Sequence, residues 1–226
     1  FMGRGVGRES KCLILGATPE LRDLFAELET KPFLVDLSWR MLLNMLRLTK
    51  KTRAPNEVWI KGDWLTVPLP ENFFNIIVGD LSFRHIAPEK QDMLLAKLRG
   101  VCRNGGRVIM RVHGINPSYR HRSHEEIFEE MKAFPYAPYD ERRYETMGIM
   151  LSRLYDRSTQ NQRISRDDII RATENYITAK NAPFFYRLFL NEFLAKRLFN
   201  LTETLASQSL EEIEELLLRY FSVLDV

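Results

Sequence analysis

Residues 11–38, KCLILGATPELRDLFAELETKPFLVDLS, decide how this chain folds. Cys12-Leu13-Ile14-Leu15 is a short apolar run of the kind that becomes a buried parallel strand. Gly16 supplies a tight turn, Thr18 suits a helix cap, and Pro19 suits the first helical position, where no backbone N–H is needed. Leu21, Leu24, Phe25 and Leu28 then recur at helical spacing and predict one apolar face. Phe33-Leu34-Val35 is a second strand, and Asp36 closes it twenty residues after Gly16. A β-α-β unit that ends on a carboxylate at this spacing is built to accept hydrogen bonds from a ribose. The stretch therefore predicts a nucleoside half-site.

The loop narrows the choice of nucleoside. A pyrophosphate needs a glycine-rich turn whose amides approach it closely. Gly16-Ala17-Thr18-Pro19-Glu20 offers one glycine, no N–H at Pro19 and a carboxylate at Glu20. That argues against a dinucleotide and an NAD-linked oxidoreductase, whereas a cofactor with a sulfonium cation and no phosphate tolerates it. At this point the chain resembles the class I S-adenosylmethionine-dependent methyltransferases. LILGATPEL is similar to their first motif, LVDLS to the second, and GDWLTVPLP and FNIIVGDLSF to the next two. The resemblance covers residues 11–113 and departs from the usual G-x-G-x-G. It implies an α/β, Rossmann-like methyltransferase sandwich around a mostly parallel sheet, with S-adenosyl-L-methionine as cofactor.

Further along, Ser38 is a plausible cap for a helix with Met41, Leu42, Met45 and Leu46 on one face. Lys50–Arg53 closes it as a solvated basic end. Val58-Trp59-Ile60 reads as the third strand and Phe73–Val78 as the fourth, ending in Gly79-Asp80-Leu81-Ser82-Phe83. Gly16 and Asp80 then converge at the carboxyl ends of strands one and four, where an open parallel sheet binds its ligand. Pro88 opens a helix carrying Met93, Leu94, Leu95 and Leu98. Arg103-Asn104-Gly105-Gly106 reads as a turn into the fifth strand, Arg107–Val112. By the resemblance, the cofactor-binding residues are Gly16, Ala17, Thr18, Asp36, Leu37, Asp63, Trp64, Asp80, Leu81 and Ser82. Asp63 matches the acceptor of the adenine amine, and Trp64 either stacks on the base or packs against the sheet edge. His85 and His113 are the candidate bases, each with a surface or structural role as the competing reading.

From Gly114 to Ser209 the pattern turns helical. Ser123-x-x-Glu126 and Ser209-x-x-Glu212 are capping boxes, and Ser165 with Asp168 imitates one. Phe184-Phe185-Tyr186-Arg187-Leu188-Phe189-Leu190, after Pro183, carries more aromatic surface than one buried stripe needs. A core helix, an apolar pocket lining and a homodimer face are its three readings. His121-x-x-His124 lacks further ligands, so no metal is expected. The domain reading is a leader over 1–10, a cofactor-binding core over 11–113, a helical insertion or lid over 114–209, and a last helix with the start of strand six over 210–226. A seventh strand is missing, and the sequence is expected to be part of a longer chain.

Composition bounds the function classes. With 226 residues, 45% of them hydrophobic, the chain can bury a proper core, and no apolar run reaches the length of a membrane span. Cys12 and Cys102 fall in core elements and read as reduced thiols of a cytoplasmic protein. A net charge of +3 is too small to argue for nucleic acid by itself, although Arg120, Arg122, Arg142 and Arg143 gather locally. The expected activity is methyl transfer to a small organic acceptor. An RNA or protein methyltransferase and a catalytically degenerate binding module stay open.

Overall fold

The computed structural model describes residues 6–53, 56–135, 142–157, 164–179, 182–195 and 208–222. Its chain divides into two compact units, residues 1–112 with 214–226, and residues 113–213.

The first unit is built on a five-stranded sheet in the order β3-β2-β1-β4-β5. β1 (Cys12–Leu15), β2 (Phe33–Asp36), β3 (Val58–Lys61), β4 (Phe74–Asp80) and β5 (Cys102–Arg111) pair in parallel throughout. All four residues of β1 are buried, as a central strand covered on both faces requires. The strand order reverses direction at β1 and β4, so the carboxyl ends of these two strands flank the switch point. This is a Rossmann-like, doubly wound α/β arrangement.

Helices α1 (Pro19–Glu27), α2 (Trp39–Leu46) and α3 (Pro88–Val101) connect the strands. One sheet face packs Cys12, Ile14, Leu34, Ile76 and Val78 against Phe25 of α1 and Leu42 of α2. Pro19 and Pro88 occupy the first turns of their helices, and the Ser38 hydroxyl accepts from the amide of Met41 at 3.3 Å. Thr18 holds the cap position of α1, but its side chain makes no capping bond. On α2 only Leu42 is fully buried, whereas Met41, predicted on the apolar face, is 46% exposed.

One expectation needs correction. The Arg103–Gly106 segment is not a turn ahead of β5 but an excursion inside it. Phe74 pairs with Cys102 and Ile76 with Arg107, so two steps along β4 correspond to five along β5. Gly105, at φ +75°, turns the chain there. The expected start of strand six falls mostly on residues that lie outside the described ones. α8 (Leu210–Leu218) ends in a turn, Phe221 and Ser222 form no strand, and residues 223–226 lie outside the described residues.

The second unit is helical. α4 (His124–Met131), α5 (Arg143–Tyr155), α6 (Arg166–Ala179) and α7 (Phe184–Phe193) surround a core of their own. It includes Ile127, Phe128, Met131, Met147, Met150, Leu154, Tyr155, Tyr186, Phe189 and Phe193. The Tyr186 hydroxyl donates to the Phe128 carbonyl at 2.6 Å, so its polar tip is satisfied where it is buried. All three serine caps form: Ser123 with Glu126, Ser165 with Asp168, and Ser209 with Glu212. α7 buries Tyr186, Phe189, Leu190 and Phe193 while Phe184, Phe185 and Leu188 stay exposed, so it is apolar around most of its circumference.

Candidate active site

The switch point gathers its residues from three strand ends. Gly16 follows β1 with φ +99°, a conformation that glycine adopts without a Cβ penalty. Its amide donates to the Val35 carbonyl at 2.8 Å, tying the turn to the end of β2. Asp36, the last residue of β2, accepts from the Ser38 amide through Oδ1 at 2.8 Å. That leaves Oδ2 for a ribose hydroxyl. Burial raises the Asp36 pKa above the ordinary carboxylate value; the Ser38 amide and the charge of His85 pull it back down. Leu37, next in sequence, is 65% exposed, an uncovered apolar side chain.

After β3 the chain makes a compact turn. The Asp63 carbonyl accepts from the amides of Thr66 and Val67, and its Oδ1 accepts from the Leu65 amide at 2.9 Å. Lys97 of α3 donates to the carbonyls of Leu65 and Val67, fastening the turn from below. Trp64 projects from this turn and donates its indole N–H to the Val35 carbonyl at 2.7 Å. A Cβ placed on Gly16 would lie 3.7 Å from the Trp64 ring, so the indole rests on the glycine turn. The sequence reading had stacking and sheet-edge packing as alternatives; the side chain lies across the ends of β1 and β2.

On the other side of the switch point a cleft of about 490 Å³ is lined by Thr18, Glu20, Leu21, Val78, Gly79, Asp80, Ile109 and Arg111. That volume suits a small-molecule site. Its floor is apolar, and its rim carries an ion pair that sequence reasoning missed. Asp80 Oδ1 lies 2.5 Å from Arg111 Nε, and the Arg111 side chain is 69% exposed. The pair sets a cation and an anion side by side, which suits the carboxylate and ammonium of an amino-acid group. Both residues end their strands and stand opposite each other in the parallel register, a non-local pairing.

The remaining predicted residues divide. Ala17 is buried. Leu81 adopts φ +54°, and Ser82 is 1% exposed with its hydroxyl directly beneath Gly79. The Ser82 hydroxyl is thus buried beneath the end of β4. His85 is exposed at the end of the Ser82–His85 helical turn and acts electrostatically on Asp36.

His113 sits in the helical unit, with Nε2 at 2.8 Å from Ser152 Oγ and 3.2 Å from Asp156 Oδ1. Both partners meet the same nitrogen, whereas a serine–histidine–aspartate relay needs them on opposite ones. His124 faces the guanidinium of Arg157 through Nε2, and burial, then that neighbouring charge, lowers its pKa to about 4. A cation at that nitrogen opposes metal binding. Among the described residues no group of three or more His, Cys, Asp or Glu is arranged to hold a metal ion. Both cysteines are buried and free, and burial pushes the Cys12 thiol up to about 11.

Comparison with known proteins gives one family match and several structural likenesses. Residues 17–110 match the family model described as a methyltransferase domain. The match spans under half of the chain, and this segment is similar to a methyltransferase domain. No curated protein matches the chain. Among solved structures, the chain is similar to the complex between the Haloferax volcanii Trm112 methyltransferase activator and a methyltransferase, at 18% identity and TM-score 0.44, covering 54% of each chain. It is similar also to an S-adenosylmethionine-dependent methyltransferase from Mesorhizobium loti, at 18% identity and TM-score 0.40, covering 51% of this chain and 50% of that one. The glycopeptide N-methyltransferase MtfA in complex with S-adenosylhomocysteine has 20% identity and TM-score 0.39, over 45% and 42% of the two chains. The chain thus spans about half the length of the solved structures it matches.

Proposed function

We propose that this protein transfers a methyl group from S-adenosylmethionine to a small organic acceptor. The observation that carries the reading is the convergence of Gly16, Asp36 and Asp63 on one end of a parallel sheet, beside an apolar-floored cleft. Asp36 Oδ2 is the ribose acceptor, and the Asp63 carboxylate, steadied by the Leu65 amide, faces the adenine amine. The Asp80–Arg111 pair receives the amino-acid end of the cofactor. Glu20, which would repel a pyrophosphate, is compatible with a sulfonium.

When bound, S-adenosylmethionine supplies an electrophilic methyl on a good leaving group. The work left to the chain is alignment. Holding two reactants in a near-attack geometry is worth about 7–11 kcal/mol of barrier. Leu21, Val78 and Ile109 exclude water from the floor of the cleft, and His85 is the candidate base for an acceptor that must lose a proton. The arginines that motivated a nucleic-acid reading are partly engaged. Arg122 pairs with Glu130, and Arg143 lies 3.4 Å from Glu192.

The test is transfer of an isotopically labelled methyl group from S-adenosylmethionine, with pools of small amines, phenols and carboxylic acids run beside total RNA and protein. Label on a small molecule is the expected result. Label confined to RNA or protein overturns the acceptor class.

A further inference from the structure

The nucleoside half of the site has an obstruction of its own. A ribose held by Asp36 and a methionine moiety held at Asp80 must pass across the ends of β2 and β1. Trp64 lies across both. Its N–H is on the carbonyl of Val35, the residue immediately before Asp36, and its ring is against Gly16. The neighbouring cleft is lined by Thr18, Gly79 and Asp80 but by none of Asp36, Leu37, Asp63 or Trp64.

The turn that carries Trp64 is fixed by its own bonds. Asp63 accepts three amides of the turn, and Lys97 holds two of its carbonyls. A Cβ on Gly62 would come within 2.8 Å of Val67, so the turn is closely packed as well. The indole itself is only half-buried and is held by one hydrogen bond. The soft coordinate is thus rotation of the Trp64 side chain, not movement of the loop.

We propose that Trp64 gates the nucleoside half-site: its indole closes the crevice over Gly16 and Val35, and must swing off the Val35 carbonyl before an adenosyl group can reach Asp36. Once displaced, the ring stays attached to the same fixed turn and supplies an aromatic wall for the base. The proposal rests on the reading of this crevice as an S-adenosylmethionine site. It makes Trp64 the residue that controls how fast the cofactor enters. Val35 O keeps the Gly16 amide as a partner when the indole leaves, so opening strands no buried carbonyl.

The experiment is stopped-flow binding of fluorophore-labelled S-adenosylhomocysteine to the whole chain, followed by anisotropy. In the wild type the observed rate is expected to level off with ligand concentration, because opening becomes limiting. Trp64→Ala is expected to give a rate that rises linearly and exceeds the wild-type plateau at least about tenfold. Trp64→Phe keeps a ring but loses the N–H, and should raise the plateau while leaving equilibrium affinity within about threefold. Linear wild-type kinetics with the same slope in Trp64→Ala overturn the gate and leave the cofactor reading standing. Absence of binding in both proteins, each folded by circular dichroism, overturns the cofactor reading and the gate with it.

Discussion

Asp36 carries two opposed demands. Burial lifts its pKa, so the fold favours the neutral acid, whereas ribose recognition needs the carboxylate. The stability linked to the raised pKa is fully present below the unfolded value and is lost as pH rises through the folded one. Cofactor affinity runs the other way and grows as pH rises through that same folded pKa. Asp36→Asn should therefore keep or raise the melting temperature while weakening S-adenosylhomocysteine about tenfold or more, the loss expected for hydrogen bonds to a charged acceptor. A lower melting temperature with unchanged affinity would contradict this assignment. Gly79 is constrained differently: a Cβ there would lie 2.1 Å from Ser82 Oγ and 3.3 Å from Ser82 Cβ. Gly79→Ala should cost about 1–3 kcal/mol in urea unfolding, and Gly79→Ala/Ser82→Gly should recover part of it. The place of Asp36 at the end of β2 was legible in the sequence because its signal is local, an apolar run that stops at a carboxylate. Trp64 was half legible. Its residue type was evident, but the carbonyl it chooses belongs to a strand 29 residues earlier.

At the scale of elements, α1 shows where pattern reading stops. Leu21, Leu24, Phe25 and Leu28 were read as its apolar face, and Phe25 is indeed fully buried. So is Arg22, which a sequence reader assigns to solvent. Its guanidinium binds both oxygens of Glu57, at 2.8 and 2.6 Å, and donates to the Leu42 carbonyl at 2.9 Å. Trp59 donates to the same Glu57, and its ring lies 5.4 Å from the Arg22 guanidinium carbon. One buried cluster thus links α1, α2 and β3. Glu57→Ala leaves a charge buried without its partner and should cost about 3–5 kcal/mol by chemical denaturation. Arg22→Met/Glu57→Leu should cost clearly less, and equal losses would contradict the pairing argument. β5 was misread for a related reason. Asn104-Gly105-Gly106 has the chemistry of a turn and does turn the chain, but Cys102 had already joined Phe74 of β4. Strand pairing is non-local, and no local signal announces it. The helix caps Ser123, Ser165 and Ser209, by contrast, act within one turn and were read correctly.

At the scale of the molecule, the two units have separate cores, one around the sheet and one among α4–α7. The helical core is rich in aromatic side chains, with Phe128 and Tyr176 at 4.9 Å and Tyr186 stacked on Phe189 at 5.9 Å between ring centroids. Phe189→Ala should remove about 3–5 kcal/mol, visible as faster amide exchange through α4–α7. Faster exchange confined to the sheet strands would contradict a separate helical core. No helix among the described residues is long and apolar enough to cross a membrane. The fold of the first unit was legible because strand and helix periods alternate clearly through residues 11–113. The helical unit offered helices and caps but no motif, so its role cannot be read from pattern. What gives the molecule its function in this account is the end of the parallel sheet. The measurement that tests it most directly is calorimetric titration of S-adenosylhomocysteine into the wild type and into Asp36→Ala. The account predicts micromolar binding to the wild type and its loss in the folded variant. A folded wild type that binds nothing, or a variant that binds equally well, would contradict it.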